Sequence, residues 1–294
     1  MYFGQHMKVI CIVLFTVSVA SATEFNYENQ TAWGDLAGSF CGTGRRQSPI
    51  NIIPANVQEN SLLFENLVLS GWDGTVDGTF SNTGHNVQFD PNQTGSTTTM
   101  NHRGTYVLQQ FHFHWGQGQR DGSEHLIEGS QYDAEIHFVH RKQGVDAGSS
   151  AADALTVLGV FGRADSAAPA GIWQLLMPVP TDFDSSRNVS GLNYSDLLPV
   201  NRDYYYYEGS LTTPLCNQIV QWFVFKETIP IPASFLDTLR TVQENENGTL
   251  LTHNVRDVQA LNGRTVMTPS GASSVPITSL LALCILALVV TIGH

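Results

Sequence analysis

Charge is what this sequence has least of. Only 14% of its residues are Asp, Glu, Lys or Arg, against roughly a quarter in an ordinary soluble protein. Positive charge is the scarcer sign, with 14 Lys and Arg against 26 Asp and Glu and a net charge of −12. A surface built to neutralise phosphates needs the opposite balance, so nucleic acid is excluded as a partner. No H-E-x-x-H is present, the helical motif that sets a general base between two metal-binding histidines, which speaks against a zinc hydrolase of that type. Between residues 23 and 268 there is no Pro/Ser linker, repeat or block of like charge, so nothing marks a second domain. Apolar residues, at 42%, are close to normal. The polar surface must therefore come from Asn, Gln, Ser, Thr and Gly, a balance that suits an exported protein and not a disordered one.

Both ends support export. Lys8, the apolar run Val9 to Ala20 and then Ala20-Ser21-Ala22 give the charged, hydrophobic and small-residue regions of a signal peptide, assigned to residues 1–22. The run is shorter than the ~20 residues that span a bilayer. At the far end Leu280 to Ile292 is almost wholly apolar, with only Gly293 and His294 after it and no basic residue to hold a cytoplasmic side. Upstream lie Ser270-Gly271-Ala272-Ser273-Ser274 and a short spacer, the arrangement of a GPI attachment signal; a short transmembrane tail is the alternative. The chain is thus divided into a signal (1–22), a folded domain (23–268) and a spacer with hydrophobic tail (269–294). Processing removes Cys11 and Cys284 and leaves Cys41 and Cys216, most simply one disulfide. Closing so long a loop is worth roughly 4 to 5 kcal/mol in the chain-entropy picture. Asn29, Asn92, Asn188, Asn193 and Asn247 head Asn-x-Ser/Thr sequons, consistent with an exported, glycosylated surface.

The folded domain reads as mainly β. Leu62 to Leu69, Thr105 to Trp115, Glu135 to Val139, Leu155 to Phe161 and Ile219 to Phe225 are rich in Val, Ile, Phe and Leu and are bounded by Gly, Asn, Asp and Pro. Helical spacing is confined to Phe235, Leu236, Leu239 and Val242 after Pro232, and to Ile172 to Met177, so the helices are peripheral.

Phe111-His112-Phe113-His114-Trp115 carries two imidazoles two residues apart in a strand, where i and i+2 share a face. Glu135-Ile136-His137-Phe138-Val139 repeats the alternation, so a neighbouring strand can supply a third ring to the same ion. Gln110 and Glu135 each stand two residues before a histidine, at the parity needed to hold the far ring nitrogen and fix its tautomer. By the same parity His140 points away and reads as a buried, hydrogen-bonded core histidine. Three neutral imidazoles leave the charge of Zn²⁺ uncompensated and acidify a water in the fourth position, whose pKa in a His₃ zinc site is brought to about 7.

Gln109-Gln110-Phe111-His112-Phe113-His114-Trp115-Gly116 resembles the zinc strand of the α-class carbonic anhydrases. Ser123-Glu124-His125-Leu126-Ile127, Tyr132 and Glu135-Ile136-His137-Phe138-Val139 are similar to the family's signature. Gln47-Ser48-Pro49-Ile50-Asn51-Ile52, Asn82-Thr83-Gly84-His85, Tyr204 to Tyr207 before Gly209-Ser210-Leu211-Thr212-Thr213-Pro214, and Asn254-Val255-Arg256 follow in the family's order.

That resemblance implies a single α+β domain, a large twisted, mostly antiparallel sheet with short peripheral helices, and reversible hydration of carbon dioxide to bicarbonate by zinc-bound hydroxide. It assigns His112, His114 and His137 to the metal and Thr212 to the hydroxyl that links the hydroxide to a buried carboxylate, Glu124. His85 matches the proton shuttle, which an imidazole of pKa ~6.5 can serve near neutral pH. Val139, Val157, Leu211, Val220 and Trp222 match the apolar wall for carbon dioxide, with Thr213 beside it. Asn254 joins Gln110 and Glu135 as an outer partner of the ligands, while Tyr27 and Gln88 match polar positions in the cavity. Cys41 and Cys216 resemble the disulfide of secreted and membrane-bound members, which braces the loop after Thr212. The chain departs from the family at Leu215, where a second proline often follows Pro214. A cis bond there costs ~3 kcal/mol without proline, so the resemblance does not carry the geometry of this loop. Thr83 and Asn86 also differ from common choices beside the shuttle. The rival reading, an inactive relative kept as an extracellular binding module, would be favoured by loss of a ligand histidine, and none is lost.

Overall fold

Alternation of side chains along a strand sorts residues onto two faces, and here one face is aromatic and the other carries the histidines. The computed structural model describes residues 25–61, 67–92, 96–100 and 103–270. The segment 1–22 predicted as a signal, which includes Cys11, the tail 271–294 with Cys284, and residues 62–66 of the strand predicted over 62–69 lie outside the described residues.

The sheet is built from β1 (Thr75–Asn82), β2 (Val87–Pro91), β3 (Gly104–Trp115), β4 (Ala134–Lys142), β5 (Leu155–Ala164), β6 (Ser186–Asn193), β7 (Tyr204–Gly209) and β8 (Val220–Phe225). They lie in the order β6-β1-β2-β3-β4-β5-β8-β7, continued by Met267–Pro269 and Gln58–Asn60. Neighbours from β6 to β5 run antiparallel. The pairing of β5 with β8 is parallel, as is that of Met267–Pro269 with Gln58–Asn60, so the sheet is mixed and, as expected, mostly antiparallel. The two predicted helices are α1 (Gly171–Leu176) and α2 (Ala233–Leu239).

One face of β3 and β4 presents Phe111, Phe113, Ile136 and Phe138 to the larger core, which α1 and α2 close with Trp173, Leu176, Phe235 and Leu239. Ring centroids lie 5.2 Å apart for Phe89 and Phe111 and 5.3 Å apart for Phe111 and Phe138, a range in which aromatic pairs add about 0.5–1.5 kcal/mol beyond their buried area. The parity of β3 is not constant along its length. Tyr106 and Leu108 belong to this core, yet so do Phe111, Phe113 and Trp115. The switch from even to odd falls at a register shift between Leu108 and Gln110, where Gln109 is the extra residue of a β-bulge. Without it Gln110, His112 and His114 would point into the aromatic core.

The disulfide forms between Cys41 and Cys216, with Cα atoms 5.0 Å apart. Beside it Phe40 N–H donates to the Leu215 carbonyl at 2.9 Å. The Pro214–Leu215 peptide is cis.

His140 is fully buried on the core face, its Nδ1 3.0 Å from the Phe138 carbonyl and its ring stacked on Trp72. Burial pushes its pKa down to about 4. The unfolded chain, with a histidine pKa near 6.5, binds more protons between these values, so His140 stabilises the fold above about pH 6.5 and this contribution drains away on acidification. The loss approaches roughly 3 kcal/mol by pH 4. Urea unfolding of the wild type and His140→Asn across this range should show their stability difference shrinking as pH falls; a difference independent of pH would contradict the assignment.

Candidate metal centre

The register of β3 against β4 sets His137 directly opposite His112, and Glu135 opposite His114. All three predicted ligands therefore share one patch of the sheet, with ring centroids 5.0 Å apart for His112–His114, 5.3 Å for His112–His137 and 4.4 Å for His114–His137. One nitrogen from each falls within 4.8 Å of the others.

The partners decide which nitrogens these are. His112 Nδ1–H donates to Gln110 Oε1 at 2.9 Å and His114 Nδ1–H to the Asn254 carbonyl at 2.7 Å, which leaves Nε2 of both rings with a lone pair. His137 Nε2–H donates to Glu135 Oε1 at 2.8 Å and leaves Nδ1 instead. Gln110, Glu135 and Asn254 are thus all found as outer partners, although Asn254 acts through its main chain. Its side chain does a different job: Oδ1 accepts from Trp115 N–H at 2.8 Å and Nδ2 donates to the Phe113 carbonyl at 2.8 Å, holding the end of β3.

Burial, above all, drives the His112 pKa well below the ordinary value, and His114 and His137 push the same way. His114 is lowered too, again mainly by burial, against the opposing pull of Glu124. Burial would raise Glu135, but His125 and His137 outweigh it and hold this carboxylate well below its usual range. The result is neutral His112 and His114 rings, each held by a neutral carbonyl acceptor, and a His137 ring oriented by an ionised carboxylate. Two lone-pair nitrogens, His112 Nε2 and His114 Nε2, face each other at 3.1 Å. That contact is repulsive unless a cation is shared, and it lies near the roughly 3.3 Å between nitrogens of a tetrahedral zinc site with Zn–N bonds of ~2.0–2.1 Å. Glu124 adds a buried acceptor: Oε1 takes the Arg256 N–H at 3.0 Å, while Oε2 has no hydrogen-bond partner and lies 3.6 Å from His114 Nε2 and 3.8 Å from His137 Nδ1. The donor set fits zinc.

The remaining predicted residues surround this patch. Thr212 is buried on the loop after β7, and no hydrogen bond joins it to Glu124. Val139 pairs with Val157, and Val157 with Trp222, making one apolar row across β4, β5 and β8, packed in the same cluster as Val220 and Leu211. The Trp222 ring stands 4.8 Å from that of His137. Gln88 lies opposite His112 on β2 and donates to Asp90 at 2.7 Å. Tyr27 is buried, its hydroxyl without a hydrogen-bond partner. The half-buried His85 stacks on Phe25 with centroids 4.0 Å apart, and its carbonyl accepts from Asn254 Nδ2 at 3.3 Å. Thr83 and Asn86 close the turn that carries His85, through Asn86 N–H to Thr83 Oγ1 at 3.1 Å and a side-chain bond of 2.9 Å.

Sequence reasoning missed a second layer. His125 bridges Glu135 Oε1, at 2.7 Å, and the Tyr207 hydroxyl, also at 2.7 Å, and Tyr207 donates onward to Ser48 Oγ at 2.8 Å. Gly159, opposite His137, is required for a steric reason: a Cβ there would meet Glu135 Oε1 at 2.9 Å. Asp90 is a further carboxylate beside the cavity position Gln88, its pKa raised by burial. Ser123-Glu124-His125, Gln47-Ser48 and Tyr204 to Tyr207 were each visible as motifs; that they join in one network depends on contacts far apart in sequence.

A buried, all-imidazole centre on the floor of a β-sheet, each ring fixed from behind, defines a mononuclear zinc enzyme. The model of the eukaryotic-type carbonic anhydrases matches residues 28–270, and the chain belongs to that family. It is 34% identical over 250 residues to putative carbonic anhydrase 3 of Caenorhabditis elegans, covering 80% of this chain and 96% of the relative. It is 34% identical to human carbonic anhydrase 7 over 76% of this chain and 88% of the relative. A carbonic anhydrase of Pectobacterium atrosepticum is 32% identical over 86% of this chain and 94% of its own length.

Outer partners of ligand histidines are worth 10–100-fold in metal affinity, and Glu135 serves two of the buried histidines at once. Glu135→Gln should therefore release zinc to a chelator at 10–100-fold lower competitor concentration than the wild type, and His114→Ala should hold substoichiometric zinc. Undiminished zinc in either protein would contradict the site.

Proposed function

We propose that this chain catalyses the reversible hydration of carbon dioxide to bicarbonate and a proton at the centre formed by His112, His114 and His137. The observation that carries the reading is the set of three ring nitrogens oriented by Gln110, Asn254 and Glu135, with family membership over nearly the whole folded domain. Zinc held by three histidines, the arrangement for which carbonic anhydrase is itself the reference case, supplies the Lewis acidity that brings the pKa of a water to about 7.

The chain's own residues do the remainder. The row Val139, Val157 and Trp222, with Val220 and Leu211, offers a neutral, linear substrate an apolar surface with no polar group to solvate. Thr212 would orient the attacking oxygen, its hydroxyl accepting from that oxygen and donating to Glu124, whose Oε2 has no hydrogen-bond partner in this structure. Thr213 borders the same space. His85, on the turn tied to Asn254, takes up the released proton and returns it to buffer. The disulfide suits an oxidising compartment. With the signal at 1–22, the five sequons and the tail after Ser270, it supports an extracellular glycoprotein held to the membrane by a GPI lipid.

Carbon dioxide hydration by purified protein should be abolished by zinc removal and restored by zinc; activity indifferent to both would overturn the reading. In weak buffer His85→Ala should lower kcat and leave kcat/KM nearly unchanged, because attack on carbon does not use the shuttle. Added imidazole should restore the rate, and equal loss in both parameters would place His85 in positioning instead. Phosphatidylinositol-specific phospholipase should release activity from expressing cells, whereas activity retained on the cells would favour a spanning tail.

A further inference from the structure

In so acidic a chain each arginine is a scarce cation, and most are spent on protein partners. Arg46 and Arg103 share Glu208, Arg187 and Arg240 bind carbonyls, and Arg256 and Arg264 bind the carbonyls of Ser48 and Gln47. Among the described residues Arg45, Arg120, Arg163 and Arg202 lack such a partner, and of these Arg120 and Arg163 come together. Among the described residues neither guanidinium has a protein partner, both side chains are exposed, and both line one pocket of about 410 Å³.

The pocket is built, not incidental. Asp133, only 6% exposed, accepts the Arg120 backbone N–H on Oδ1 and the Ala164 N–H on Oδ2, each at 2.8 Å. One buried carboxylate therefore pins both arginine-bearing segments to the same rim, although they come from a loop and from the end of β5. Arg120 is held there in the left-handed region at φ 57°, an unfavourable conformation for a residue with a long side chain. Tyr132 lines the wall and is stacked on Phe161 with centroids 4.2 Å apart. Both oxygens of Asp133 are engaged by main-chain amides, which leaves it poorly placed to pair with either guanidinium. Two cations without a protein partner among the described residues thus line one cavity, where a single anion can take counter-charge from both.

We propose that this pocket binds a doubly charged tetrahedral oxyanion, phosphate or sulfate, either free or as the ester end of a small sugar-sized molecule. Two guanidinium forks can each present parallel N–H donors to such a group. A singly charged ion would satisfy one fork and leave the other unpaired. The volume exceeds what a bare ion needs, which admits the ester. The site shares no residue with the metal centre and does not rest on the proposed activity.

The test is calorimetric titration of the zinc-loaded protein at low ionic strength with inorganic phosphate and, separately, glucose 6-phosphate. Any binding at the metal centre is common to all variants, so the difference between variants is the readout. R120Q and R163Q should each weaken the pocket component about tenfold or more. R120Q/R163Q should lose it, and R202Q, which alters an arginine outside the pocket that has no protein partner among the described residues, should match the wild type. Tighter binding of the ester assigns the pocket to a monoester, and tighter binding of phosphate to the free ion. In the unmutated protein, phosphate should slow phenylglyoxal modification of Arg120 and Arg163 at least several-fold and leave Arg202 unprotected. Isotherms of R120Q/R163Q that superimpose on the wild type, equal weakening in R202Q, or protection no greater at the pocket than at Arg202 would each overturn the proposal.

Discussion

The antiparallel pairing of β3 with β4, in one register, is what the rest of the site depends on. A slip of one residue in either strand would send every side chain to the opposite face, burying imidazoles among phenylalanines and exposing Phe111, Phe113 and Phe138. Aromatic packing on the core side penalises that slip, and the pairing of His112 with His137 is its consequence on the other side. The bulge at Gln109 makes the arrangement possible, because it lets one strand belong to the core by its even residues before the bulge and by its odd residues after it. Core formation and metal-site formation are in this sense one event.

Orientation of the rings is a separate problem, solved from behind. A side-chain amide, a main-chain carbonyl and a carboxylate each capture one ring N–H, and the choice of captured nitrogen fixes a donor set of two Nε2 and one Nδ1. The Glu135 carboxylate does this for His137 while receiving His125, and Gly159 provides the room it needs. Low local dielectric makes such a network strong when complete and costly when broken. The disulfide and the Arg256 guanidinium then tie the loops that flank the site to the N-terminal segment, through Cys216 and through the Ser48 and Cys41 carbonyls.

The sequence disclosed the site better than it disclosed the fold around it. Period-two alternation sufficed to find His112, His114 and His137 and to assign Gln110 and Glu135, because those relations are local. His140 was read correctly for the same reason. What could not be read locally was the partner of His114, since Asn254 lies 140 residues away and acts through a carbonyl that any residue possesses. The bulge left no signature, because Gln109 is an unremarkable strand residue. The parallel pairing of β5 with β8 was hidden too, as strand patterns carry no direction. The chain of His125, Tyr207 and Ser48 joins three segments whose hydrogen bonds no periodicity encodes.

The claim on which everything else rests is that three neutral histidines hold one zinc ion through these particular nitrogens. Crystallography of the zinc-loaded protein with anomalous data at the zinc edge measures this directly. The account predicts one full-occupancy peak at about 2.0–2.1 Å from Nε2 of His112, Nε2 of His114 and Nδ1 of His137. Zinc bound elsewhere, or bound here through Nε2 of His137 with its hydrogen bond to Glu135 broken, would contradict it.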